Sequence, residues 1–145
     1  MSQQIASTDN PLMPHHVGIS VPDLEAAIAW YGTMLGFTCE RRMEVAQIPA
    51  HIAWLRRGSF RIELFEVAEA ATLPEDRRVP NRDLRTHGTK HVAFAVPDVD
   101  AFVTELRARG ADIAMHTRIH NEPMAFIRDN AGTLLELVQE SSFPK

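Results

Sequence analysis

Cysteine is nearly missing from this chain of 145 residues, where Cys39 stands alone. A single thiol excludes an internal disulfide, and a reducing, cytoplasmic setting is the expectation that follows. A basic surplus is missing too. The net charge of -4 leaves no electrostatic footprint for nucleic acid. No apolar run is long enough to cross a bilayer, so no membrane partner is expected. The opening "MSQQIASTDNPL" has neither a positive start nor an apolar centre, so it reads as a polar tail over residues 1–12, not a secretory leader. What remains is a composition of 45% apolar and 23% charged residues, ordinary for a globular chain. The length suits one domain, or two small halves sharing a core.

Two such halves are written into the sequence. "HHVGISVPDLEAA" begins at residue 15 and "KHVAFAVPDVDAF" at residue 90. In the first, Val17, Ile19 and Val21 alternate with His16, Gly18 and Ser20, the pattern of a half-buried strand. Pro22 and Asp23 end it, and Asp23 is placed to cap a helix carrying Leu24, Ile28, Tyr31 and Leu35, with Gly36 at its end. The second copy has Val92, Phe94 and Val96 opposite His91, Ala93 and Ala95, then Asp98 as cap, Val99, Phe102, Val103 and Leu106 as stripe, and Gly110 as stop. Strand-like runs follow each helix: "TCERRMEV", "HIAWLRR" and "FRIELFEV", then "DIAMH", "MAFIRD" and "TLLELVQE". "DNAG" at 129–132 is a turn between the last two. Each half thus reads strand, helix, strand, strand, strand. Residues 13–69 form the first half, 70–86 a polar linker, and 87–140 the second.

Each half also ends on a strand with a carboxylate among apolar neighbours, Glu63 in "RIELFEV" and Glu136 in "TLLELVQE". A sheltered carboxylate is costly unless something positive compensates it. A divalent cation is one such partner, and an arginine is another. The spacing from His16 to Glu63 nearly equals that from His91 to Glu136, so each half offers one neutral nitrogen and one anionic oxygen donor. Together they would neutralise a dication and leave positions open for substrate. Two readings stay open at this point: metal binding, or glutamates solvated on edge strands.

The segments "HHVGISVPDLEAAIAWYGTMLGF", "RIELFEV", "KHVAFAVPDVDAFVTELRARGADI" and "MAFIRDNAGTLLELVQE" together resemble the vicinal oxygen chelate superfamily, over about residues 13–140. That superfamily includes glyoxalase I, methylmalonyl-CoA epimerase, extradiol dioxygenases, and the fosfomycin and bleomycin resistance proteins. The resemblance implies an α+β fold of two βαβββ modules whose curved mixed sheets enclose a metal-binding cavity. It implies ligands at His16, Glu63, His91 and Glu136 for zinc, nickel, cobalt, manganese or iron, a small-molecule substrate, and a homodimer in which two chains can share a site. Acidic residues at both later-strand positions resemble glyoxalase I of the bacterial type, whereas methylmalonyl-CoA epimerases usually carry glutamine where this chain has Glu63. Extradiol enzymes use a late tyrosine, and the only tyrosine here, Tyr31, lies on the first helix.

The chemistry implied is isomerase or lyase chemistry through an enediolate, with Glu136 as general base and Glu63 as a ligand or second base. The alternatives are ring cleavage by a dioxygenase and sequestration of a drug or metabolite without turnover. Other residues are expected to matter less. His116, His120 and His87 read as solvated, and His15 as facing away from His16. His51 and Trp54 are possible cavity residues, with a core position favoured for Trp54. The cluster Arg77, Arg78, Arg82 and Arg85 reads as a solvated face with room for one member to meet an anionic substrate.

Overall fold

A computed structural model describes residues 11–140. The expected tail at 1–12 therefore lies almost wholly outside the described residues. The first module runs β1 (His16–Ser20), α1 (Leu24–Leu35), β2 (Thr38–Val45), β3 (Ala50–Arg57) and β4 (Phe60–Val67). After a 3-10 turn (Glu75–Arg78) and the short helix α2 (Pro80–Asp83), the second runs β5 (Val92–Val96), α3 (Val99–Ala108), β6 (Asp112–Ile119), β7 (Glu122–Arg128) and β8 (Leu134–Gln139). The repeat seen in the sequence is thus a repeat of βαβββ units, and the fold is α+β.

The joints form for the reasons the sequence indicates. Asp23 accepts from the Ala26 N–H at 2.9 Å, and Asp98 from the Ala101 N–H at 2.9 Å, so both helices start on a carboxylate cap. Gly36 ends α1 at φ 70°, a left-handed conformation that glycine adopts without penalty. Each module forms a four-stranded sheet, ordered β1-β4-β3-β2 and β5-β8-β7-β6. In both, the first strand runs parallel to the last and the other pairs are antiparallel. Strands β1 and β5 are consequently sheet edges.

One side of each sheet faces a common core. Ala53, Leu55, Ile62 and Leu64 from the first sheet, and Ala125, Ile127, Leu135 and Leu137 from the second, are fully buried in one cluster with Tyr31, Val99, Val103 and Leu106. Burying each of the leucine, isoleucine and valine side chains contributes about 1.5–3 kcal/mol. Phe94 reaches across the module boundary to Phe37 and Phe60, with ring centres 5.9 and 5.6 Å apart. The helix sides of both modules are therefore joined. The opposite sheet faces are left for the site.

The segment between the modules is not simply a solvated strap. Asp83, 1% exposed, is paired with Arg77 and with Lys90, whose Nζ lies 3.2 Å from Oδ1. Arg128 Nε donates to the Arg78 carbonyl at 2.7 Å. Of the four arginines read as a solvated face, Arg77 is paired through its guanidinium and Arg78 is half-buried, while Arg82 and Arg85 are exposed.

Candidate metal centre

Strand register explains how each histidine meets its glutamate. Glu63 on β4 lies between Gly18 on β1 and Trp54 on β3. Glu136 on β8 lies between Ala93 on β5 and Phe126 on β7. In both modules the carboxylate has a small residue on one side, leaving room beside it, and an aromatic wall on the other. The histidine one pleat along fills that room. His16 Nε2 lies 3.2 Å from Glu63 Oε2, and His91 Nε2 lies 2.9 Å from Glu136 Oε2. Each imidazole also meets the aromatic wall edge-on, with ring centres 4.6 Å apart for His16 and Trp54 and 4.9 Å for His91 and Phe126.

These pairs have the character of chelating donors. Two ligands bonded at 2.0–2.2 Å to one ion stand about 3–3.6 Å apart, close to the spacing found in each pair. The glutamate side chains are 16% and 19% exposed, so they are sheltered but reachable. They stand on β4 and β8, which are interior strands, so the reading of solvated edge-strand glutamates does not hold. Nor does an arginine compensate them. Among the described residues neither Glu63 nor Glu136 has a guanidinium within ion-pair distance, and each has only its histidine. The donor set fits a divalent cation.

The two pairs do not meet within one chain. Among the described residues, no three His, Cys, Asp or Glu side chains gather at metal-holding spacing. Each sheet of one chain thus presents half a donor set. The physical reason lies in the core, where both modules use their helix sides to pack on each other.

Further residues take unexpected places. His15 does not turn away from His16; their Nδ1 atoms are 2.7 Å apart, and its ring lies 5.9 Å from that of Trp54. Trp54 is not a satisfied core residue. It is half-buried against His16, and its Nε1 is buried without an acceptor among the described residues. His51 lies on the other face and pairs with Glu44 at 3.1 Å. His116 pairs with Asp100 at 2.7 Å, while His87 and His120 are exposed, so none of these joins the site. Phe126 was not singled out from sequence. Its place on β7 matching that of Trp54 on β3 was the available signal.

This chain belongs to the glyoxalase/bleomycin resistance protein/dioxygenase superfamily, whose family model matches residues 15–127. It is 26% identical over 132 residues to the mitochondrial methylmalonyl-CoA epimerase of Homo sapiens, covering 86% of this chain and 72% of that one. It is 36% identical over 110 residues to 2-epi-5-epi-valiolone epimerase of an Actinomyces species, covering 66% of this chain and 57% of the relative. Among solved structures, a glyoxalase family protein from Bacillus cereus superposes with a TM-score of 0.70 at 26% identity, covering 93% of this chain and 99% of that one.

Proposed function

We propose that this chain is a metal-dependent isomerase, of epimerase or glyoxalase type, whose centre is completed by a second copy of itself. His16 and Glu63 of one copy would face His91 and Glu136 of the other, with a small-molecule substrate between them. The observation that carries this reading is the duplicated histidine–glutamate pair, each at donor spacing and each incomplete alone. The edge strands β1 and β5 support the two-copy arrangement, because they carry or adjoin the histidines and have no further strand beside them among the described residues.

These four side chains would hold a divalent cation, which would supply electrostatic stabilisation for negative charge developing on substrate oxygens. The chain's own residues supply the proton transfers. A carboxylate not engaged as a ligand is the stronger base, and Glu136 would take that role, one of its oxygens accepting a proton from the carbon beside a carbonyl. Glu63, on the opposite wall, would take a proton from solvent beforehand and give it to the other face, inverting the centre and leaving the abstracted proton on Glu136. If Glu136 itself returns the proton to the neighbouring carbon, the outcome is a 1,2-shift. Two relatives being epimerases supports the first outcome. Trp54 and Phe126 shield the reacting carbon from water on both sides.

Subunit complementation tests the arrangement. His16→Ala and His91→Ala chains are purified separately, then refolded together. Each is loaded with zinc, nickel, cobalt, manganese or ferrous ion, dialysed, and assayed for bound metal. Wild type is expected to retain metal and the single variants to lose it. The mixture should recover it, because one of the two sites in a mixed dimer has all four ligands. Wild type that retains no metal would end the metal reading, and a mixture that recovers none would end the two-copy one.

A further inference from the structure

The wall beside His16 carries cationic groups that the metal centre does not use. Arg41 on β2, Trp54 on β3 and Glu63 on β4 are successive register neighbours, so they form one row on the face that bears His16. Neighbouring strands stand about 4.8 Å apart, which makes the row roughly 10 Å from Glu63 to Arg41. Arg56 and Arg61 are already committed. They share the Glu40 carboxylate at 3.1 and 3.0 Å, and Arg56 Nε also donates to the Gly58 carbonyl at 2.8 Å.

Arg41 is different. Its guanidinium carbon lies 5.9 Å from the Trp54 ring centre, and none of its side-chain N–H groups has an acceptor among the described residues. The Trp54 indole N–H beside it is buried and equally unpartnered. With His15, Glu40 and Arg61 these residues line an open depression of about 410 Å³. Two guanidinium groups, those of Arg41 and Arg61, and one carboxylate leave this depression positive, although the whole chain carries a net charge of -4.

The structure assigns this depression as the seat of an anionic group on the substrate, a carboxylate or a phosphate received by Arg41 across the Trp54 ring from His16 and Glu63. A planar guanidinium with free donors forms short, charge-assisted bonds to either group. The inference rests on the metal reading above and adds the substrate's remote chemistry. The substrate class is a two-ended molecule, with chelating oxygens at one end and an anion roughly 10 Å away, two strand spacings, at the other.

The probes are alkyl hydroxamates, which chelate metal at one end, carrying at the other a carboxylate, a phosphonate or the neutral methyl ester, with two to six methylenes between. Binding to metal-loaded wild-type protein is measured by calorimetry. At the best chain length, an anionic probe is expected to bind roughly tenfold or more tighter than its ester. Arg41→Ala should abolish that preference while leaving ester affinity and metal content unchanged. Whichever of the carboxylate and phosphonate binds tighter identifies the anion. Acid and ester binding alike, or a preference that survives Arg41→Ala, would overturn the subsite while the metal reading stands. If the metal-loaded protein binds no hydroxamate at any chain length, the two-ended substrate and the subsite are overturned, whereas failure to retain metal in the first place is what ends the metal reading.

Discussion

Tyr31 on α1 donates from its hydroxyl to Asp129 Oδ2 at 2.9 Å, joining the first module to the turn between the last two strands of the second. Both residues are buried, and Asp129 also accepts from the Ala131 and Thr133 N–H groups at 2.9 Å. The turn expected from "DNAG" thus also fastens the modules together. Tyr31→Phe is expected to cost about 1–3 kcal/mol, since it leaves a buried carboxylate short of one donor. Urea unfolding at neutral pH checks this, and an unchanged midpoint would exclude a role for the bond in stability.

The same pair sets a pH dependence. Burial pushes the Asp129 carboxyl above its ordinary value of 3.8, and hydrogen bonds from Ala131, Tyr31 and Thr133 offset this only in part. The folded chain then holds its proton to higher pH than the unfolded chain. This contribution therefore weakens stability as pH rises from 3.8 to the raised folded value, and is constant above it. Asp129→Asn should gain stability relative to wild type over that acid window and show no further change towards neutrality. Burial also raises Tyr31 well above 10.0. Above that pH the unfolded chain ionises first, so wild type should lose stability that Tyr31→Phe keeps. Urea midpoints across both ranges would show whether the two slopes have these signs.

How much of this was legible in sequence depends on what periodicity encodes. Alternation and capping placed β1, α1, β5 and α3, because Asp23, Gly36 and Asp98 act locally. Equal spacing also paired His16 with Glu63 and His91 with Glu136, since each pair forms within one module. That the two pairs stay apart was not legible: alternation tells which face a side chain occupies, but not which face of one module packs on the other. Trp54 was misplaced by its size and apolar neighbours, although Ala53 and Leu55 beside it take the core face and leave it the other. His15 was misplaced because β1 begins only at His16, so strand alternation does not bind it.

Asp83 should be the most sensitive linker position. It is buried between Arg77 and Lys90, and Lys90 also donates to the Asp83 carbonyl at 2.8 Å and to the Thr86 carbonyl. Removing one member of a buried ion cluster leaves the others uncompensated, so Asp83→Ala is expected to cost about 3–5 kcal/mol. Because Lys90 adjoins His91, amide exchange there should accelerate more than at His16. Equal acceleration at both histidines would mean that the cluster supports the fold generally and not the second half-site.

Gly132→Ala separates backbone strain from crowding. A methyl group there would lie 2.5 Å from Arg78 Nε, and the backbone sits at φ 96°. The guanidinium is the flexible end of a long side chain and can move aside, whereas the dihedral cannot be relieved without distorting the turn that holds Asp129. The cost is therefore expected to be mainly conformational, about 1–3 kcal/mol. Adding Arg78→Ala should not restore the melting temperature, and full rescue would show that the clash dominates.

Gly18 offers the opposite case. It lies opposite Glu63, as Ala93 lies opposite Glu136, so Gly18→Ala would make the first half-site resemble the second. Its methyl group would stand 3.1 Å from Phe65 Cε2, a contact relieved if the ring moves by a few tenths of an ångström. Against that small cost, replacing glycine by alanine within regular structure contributes about 0.5–1 kcal/mol. Stability is therefore expected to change by less than about 1 kcal/mol, with metal retention preserved because a methyl group already sits beside Glu136. Thermal melting and bound-metal assays check both. Lost metal with an intact fold would show that the two halves of the centre are less alike than their register suggests, and that Gly18 leaves space that Glu63 needs.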